Sequence, residues 1–148
     1  MSENVQIVCP HCDAANRVPL ARIRQGAKCG RCKQALFEGQ PLELSGANFQ
    51  KHLKQIEIPL VVDFWAPWCG PCRMMAPQFA EAGRELATQA RLAKIDTQAN
   101  PDATVRYDIR GIPLLILFER GREVARLTGA RPAAQIVAFV REHVGQSA

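Results

Sequence analysis

The chain has 148 residues, enough for one ordinary domain and a small one, and its 47% hydrophobic content is normal for a globular protein. No apolar run is long enough to span a membrane, and Met1 to Val8 lacks the basic start and apolar stretch of a secretion signal, so a cytoplasmic address is expected by default. The formal net charge of +5 raises the question of a nucleic-acid partner, and six cysteines in a reducing compartment read sooner as metal ligands or redox centres than as disulfide staples.

The first element is a pair of knuckles. Cys9-Pro10-His11-Cys12 and Cys29-Gly30-Arg31-Cys32 stand sixteen residues apart, the spacing of a four-cysteine zinc site. Two residues between cysteines let one tight turn present both sulfurs to a single ion, and Gly30 is expected to supply the backbone freedom. Four thiolates leave no position for water, so the expected site is structural, with one zinc ion. The surrounding segment carries a single aromatic, Phe37, and a few aliphatics such as Val5, Val8, Val18, Leu20 and Ile23, too few to fold by burial alone. Structural zinc contributes about 10 to 16 kcal/mol in finger peptides and makes up that deficit. Two further redox pairs or an iron centre compete with this reading; the paired spacing favours zinc, with His11 a bystander.

Up to Ser45 the segment holds six basic and four acidic residues, a formal +2. A zinc ion on four thiolates adds about −2. The balance is then near zero, about +3 for the whole chain, and the footprint that phosphate binding requires is missing. Arg17, Arg22, Arg24, Lys28, Arg31 and Lys33 therefore read as solvated surface, and neither nucleic acid nor membrane is expected as a partner.

Glu38-Gly39-Gln40-Pro41 reads as a linker between a small zinc-ribbon-like domain at 1–40 and a larger one at 41–148. Ser45 is placed to cap a short helix running to about Gln55, and Ile58-Pro59 ends it. Leu60 to Trp65 reads as a strand. A helical pattern follows from Pro71, at the expected first helical position, with Cys72, Met75, Phe79, Ala82 and Leu86 on one face.

Between strand and helix lies Trp68-Cys69-Gly70-Pro71-Cys72. Cys69 precedes the helix near the positive end of its dipole, where a thiol pKa falls from about 8.5 to between roughly 3.5 and 7.5. A structural disulfide is the weaker alternative because so short a loop removes little chain entropy. Half of a metal site is the other, and it lacks two further ligands. A redox-active pair is the expectation.

Leu92 to Asp96 reads as a strand and Pro101 to Tyr107 as a short helix. Leu114 to Glu119 and Glu123 to Thr128 bracket the turn Arg120-Gly121-Arg122 as a hairpin. Gly129 breaks the second strand, and Pro132 opens a closing helix with Ile136, Val137, Val140 and Val144 along one face. The class is α/β, a central mixed sheet flanked by helices.

Asp63 lies inside an apolar run, six residues ahead of Cys69. Burial there raises a carboxyl pKa and makes it a proton donor or acceptor near pH 7; a hydrogen-bonded structural carboxylate is the plainer reading. Lys94 is either its charge partner or a solvated strand residue. His52 and His143 have no evident role, and Met74 and Met75 are open between core filling and substrate contact.

These residues together, from Val61-Val62-Asp63-Phe64-Trp65 through the Trp-Cys-Gly-Pro-Cys motif to Arg73, with Pro77, Lys94-Ile95-Asp96, Tyr107, Arg110-Gly111-Ile112-Pro113 and Gly129, resemble the thioredoxin family over about Leu42 to Val144. With the tetracysteine segment in front, the chain resembles the bacterial thioredoxin 2 group. Thioredoxin is itself a reference case for the lowered thiol pKa just used. The resemblance implies a thioredoxin fold, protein dithiol-disulfide reductase activity and recharging by an NADPH-dependent thioredoxin reductase. It implies Cys69 as nucleophile, Cys72 as resolving thiol, and Asp63 as buried proton carrier with Lys94 beside it. A cis Pro113 would form the substrate groove with Trp68, Gly70, Pro71 and Ile112, and Pro77 would kink the helix. Leu114 departs from a threonine common in the family, which on the sequence alone makes the groove more apolar; Arg73 replaces a lysine and keeps its charge. Two rival functions are an oxidant or isomerase on the same fold, and a zinc-dependent redox-sensing or partner-recruiting protein whose reductase activity is secondary. Nothing in the pattern demands a dimer.

Overall fold

A computed structural model describes residues 3–144. Its first part holds two antiparallel strands, β1 (Asn4–Val8) and β2 (Ala15–Pro19), with Val5 opposite Val18. Strands this short carry too few alternating positions for the sequence to announce them. The first knuckle is the tip of this hairpin, and an isolated bridge between Lys28 and Ala35 closes the second.

Five further strands form the main sheet: β3 (Leu42–Leu44), β4 (Leu60–Trp65), β5 (Arg91–Asp96), β6 (Leu114–Glu119) and β7 (Arg122–Thr128). Their order is β3-β5-β4-β6-β7, with the first three parallel and β6 and β7 antiparallel. The central strands β4 and β6 are buried on both faces, which is why both read as continuous apolar runs.

Four helices cover the sheet: α1 (Phe49–Gln55), α2 (Gly70–Leu86), α3 (Pro101–Arg106) and α4 (Ala133–His143). On one face Met75, Phe79 and Leu86 of α2 and Ile136 and Val140 of α4 pack with Val61, Leu115 and Leu117. On the other, Phe49 and Leu53 of α1 join Val62, Phe64, Ile116 and Phe118, with the Tyr107 ring stacked 5.5 Å from Phe49. This second core continues without interruption into Ile7, Val8, Ile23 and Leu36 of the tetracysteine segment. Each such side chain contributes about 1.5 to 3 kcal/mol when fully buried.

Three boundaries move from their expected places. Ser45 opens the turn ahead of α1 rather than capping it: its carbonyl accepts from Phe49 N–H and its hydroxyl from Ala47 N–H, and Asn48 takes the cap position. Arg120 and Gly121 both take positive φ, 50° and 83°, giving a two-residue turn that lets β7 start at Arg122 opposite Glu119. Val144 lies past the end of α4 and is exposed; Phe139 instead completes the buried face.

Candidate active site and metal centre

Helix α2 starts one residue earlier than its proline promises. Gly70 is its first residue and Pro71 its second, so Cys69 occupies the N-cap itself, where its Sγ accepts from Cys72 N–H at 3.2 Å. Donor and dipole both favour negative charge on that sulfur. Cys69 and Cys72 are joined as a disulfide, Cα to Cα 5.2 Å. The Ile112–Pro113 peptide bond is cis, and the Ile112 carbonyl lies 3.9 Å from Cys69 Sγ.

A groove of about 490 Å³ opens beside the pair. Trp68, Gly70, Pro71 and Ile112 line it, as does Cys69, whereas Cys72 does not. Trp68 is 68% exposed. Pro113 is buried and only its neighbour reaches the groove. Thr97, Thr104, Ile109, Arg110 and Gly111 complete the lining; the sequence gives Thr97 and Thr104 no signal, since they come from segments after β5 and within α3. Leu114 faces the core with Phe64 and Ile116, so its departure from threonine leaves the groove unchanged. Met75 is core, and Met74, four residues from the groove's Gly70, stands in solvent. Arg73 donates to the Pro67 carbonyl at 2.9 Å and ties the helix start to the loop before it.

Asp63 is fully buried, and among the described residues neither carboxylate oxygen has a hydrogen-bond partner. Alternation along β4 puts it with Val61 on the face that α2 covers, the side on which Cys72 is buried. Burial pushes its pKa up to about 7, against the downward pull of Lys94. Lys94 is its cross-strand partner on β5 and places its ammonium 4.6 Å from the Trp65 ring. No described residue supplies the hydrogen bonds that the plainer reading of a structural carboxylate calls for.

The four remaining cysteines come together. Cys9, Cys12, Cys29 and Cys32 sulfurs lie within 4.8 Å of one another, and the Cys9–Cys32 and Cys12–Cys29 pairs are 3.6 Å apart. A tetrahedron of zinc–sulfur bonds has edges of about 3.8 Å, so the set fits zinc. Donors aimed at the sulfurs complete the fit: His11 N–H to Cys9 and Arg31 N–H to Cys29, each at 3.3 Å, and the Asn16 amide to Cys29 at 3.5 Å. The surroundings of the sulfurs differ: burial pushes the Cys9 thiol up, and the Cys32 backbone donor holds that of Cys29 down.

The two knuckles repeat one geometry. Asp13 N–H donates to the Cys9 carbonyl and Lys33 N–H to that of Cys29, with φ of 63° and 70°. The left-handed residue thus follows each second cysteine, and Gly30, expected to supply that freedom, does not use it. His11 stays outside the cluster, paired with Glu38. His52 does have a partner: it is fully buried and its Nε2 lies 2.8 Å from Asp13 Oδ1. His143 Nδ1 meets the Phe139 carbonyl at 2.8 Å.

A mixed sheet that presents a dithiol at a strand-to-helix junction, beside an open groove, defines a protein dithiol–disulfide oxidoreductase. The chain belongs to the thioredoxin family, whose model matches residues 40–142, while the model described as "Thioredoxin 2, N-terminal" matches residues 8–34. It is 39% identical over 140 residues to thioredoxin C-3 of Corynebacterium nephridii, covering 95% of this chain and 96% of that one. It is 45% identical over 97 residues to the thioredoxin of Alicyclobacillus acidocaldarius, covering 66% of this chain and 91% of the relative. Thioredoxin 1 of Synechococcus elongatus is 38% identical over 101 residues, covering 68% and 94%. The activity of this chain is thioredoxin-type disulfide reduction, and no helix among the described residues is long and apolar enough to cross a membrane.

Proposed function

We propose that this chain is a general cytoplasmic reductase of protein disulfides, with Cys69 as nucleophile and Cys72 as resolving thiol. The observation that carries the assignment is that Cys69 alone of the two lines the groove and sits at the N-cap with a backbone donor on its sulfur. In the reduced enzyme the Cys69 thiolate attacks a substrate disulfide and expels one substrate thiolate, forming a mixed disulfide. Cys72, giving its proton toward Asp63, then attacks Cys69 Sγ; the second substrate thiolate leaves and the Cys69–Cys72 disulfide forms. Two electrons pass from the enzyme dithiol to the substrate. Trp68, Gly70, Pro71 and Ile112 hold the substrate chain, with Pro113 fixing the course of Ile112. Lys94 keeps the Asp63 carboxyl from rising further. An NADPH-dependent thioredoxin reductase returns the disulfide to the dithiol.

The chain divides into units 1–40 and 41–148 and works as a monomer. Cys9, Cys12, Cys29 and Cys32 hold one structural zinc ion, which when bound organises the first unit and takes no part in the redox step. Neither nucleic acid nor membrane is a partner.

Insulin reduction driven by NADPH and a bacterial thioredoxin reductase tests the proposal. Wild type turns over, Cys69→Ser is inactive, and Cys72→Ser accumulates a mixed disulfide visible by mass. Release of substrate from Cys72→Ser at the wild-type rate would falsify the two-thiol assignment. The sensing alternative requires zinc release at peroxide levels that leave the fold intact; retention up to unfolding removes it.

A further inference from the structure

The main sheet sends one charged side chain into the base of the tetracysteine segment. Arg91, the first residue of β5, is only 5% exposed. Its Nη2 donates to the Val8 carbonyl at 3.2 Å and to the Leu36 carbonyl at 2.7 Å, and its guanidinium lies 4.7 Å from the centre of the Phe37 ring. Val8 directly precedes the ligand Cys9. The two carbonyls satisfy part of the guanidinium, yet among the described residues the buried Nε has no partner and no carboxylate stands within ion-pairing distance of Arg91. Burial brings its pKa down to about 10, with Cys9 and then Glu38 opposing the fall, so it is cationic at neutral pH; Glu38 is itself exposed and paired with His11. A buried cation with no carboxylate in ion-pairing distance costs several kcal/mol.

The complementary imbalance lies next door. Four thiolates on a divalent ion carry a net −2, and Cys9 and Cys29 are buried. The segment's own basic residues, Arg31 and Lys33 among them, are exposed, where water and salt screen them. Arg91 acts through protein instead, where the same charge is felt more strongly.

We propose that Arg91 is the counter-charge of the tetracysteine metal site, supplied by the thioredoxin sheet, so that metal affinity belongs to the whole chain and not to its first forty residues alone. The inference rests on the reading that the cysteine cluster holds a divalent metal. Arg91 is a positioning residue that touches the backbone on either side of the cluster and none of the sulfurs. Linkage makes the effect reciprocal: whatever Arg91 adds to metal binding, the metal returns to the stability of the sheet that carries Arg91.

The test is zinc titration of the reduced, metal-depleted full chain against a chromophoric chelator, for wild type, Arg91→Gln, Arg91→Lys and the exposed control Arg141→Gln. The Gln side chain keeps amide donors for the two carbonyls and removes the charge; Lys keeps the charge. Arg91→Gln is expected to bind zinc about 10- to 100-fold more weakly, Arg91→Lys to lose less than Gln, and the control to match wild type. Thermal unfolding supplies a second readout: zinc raises the midpoint of Arg91→Gln less than that of wild type, and without metal the Gln variant is no less stable than wild type. If wild type takes up no zinc, the metal reading falls and the inference with it. If wild type binds zinc and a folded Arg91→Gln binds it equally well, the metal reading stands and the counter-charge is overturned. Should Arg91→Gln fail to fold, the Lys variant decides: affinity within a few-fold of wild type supports the proposal, and a loss of about tenfold or more overturns it.

Discussion

Asp63 is fully buried with no donor to either carboxylate oxygen among the described residues, and that single fact ties stability to chemistry. Burial raises its folded pKa from 3.8 to about 7, opposed by Lys94. The folded chain therefore holds a proton between about pH 4 and 7 that the unfolded chain has lost, and stability falls as pH rises through that window. Asp63→Asn, which cannot ionise, should exceed wild type at pH 8 by about 4 kcal/mol, the difference closing toward pH 4. Denaturant unfolding of the oxidised proteins at pH 4, 6 and 8 measures this; a gap that stays constant with pH would mean Asp63 is not buried as a proton carrier must be. The same variant should resolve the mixed disulfide more slowly and with a flatter pH dependence. Asp63 was legible in the sequence because one charge in an apolar strand is conspicuous. His52 and Arg91 were not, because Asp13 lies 39 residues from the one and Val8 lies 83 from the other. No local pattern spans such distances.

At the scale of elements, strands and helices announce themselves where a repeat is long enough to see. The buried face of α2, Cys72, Met75, Phe79, Ala82 and Leu86, is the face that the spacing predicts. Its start was not fixed to the residue: a proline serves in either of the first two helical positions, and only the folded chain shows Cys69 at the cap. Glycines separate in the same way. Gly121 has φ of 83° in the β6–β7 turn, and a Cβ there would meet nothing closer than the Leu53 carbonyl at 3.8 Å, so its substitution cost is one of backbone and not of space. Gly121→Ala should cost about 1 to 2 kcal/mol with an unchanged denaturant slope. Gly70, within the Cys-Gly-Pro-Cys turn, has neither positive φ nor a neighbour within 4 Å, and Gly70→Ala should leave stability within about 0.5 kcal/mol. Equal losses at both positions would contradict this account of the turn.

Across the whole molecule the tetracysteine segment and the main sheet share one core, with Ile7, Val8 and Leu36 packed into the cluster that holds Phe49, Leu53 and Phe64. Glu57 N–H donates to the Gln6 carbonyl and Gln6 N–H to the Glu57 carboxylate, adding a backbone seam. Removing zinc with a chelator should therefore lower the unfolding midpoint of the entire chain in one transition, rather than melt the first segment ahead of the rest. Two separated transitions by calorimetry would show the seam to be weak. A chain beginning near Leu42 should keep turnover, since no groove residue precedes Trp68, while unfolding at a lower temperature because His52 and Arg91 lose their partners.

Local chemistry along the chain was enough to mark the reactive pair, the two cysteine knuckles, the odd carboxylate and the strands and helices from Phe49 onward, because each depends on residues within one turn or one element of each other. The tertiary structure alone decided which sulfur faces the groove, that Leu114 turns into the core, and that a histidine and an arginine of the main sheet and its helices reach into the metal segment. Those outcomes depend on how faces pack, and packing pairs residues by distance in space, which spacing along the chain does not encode.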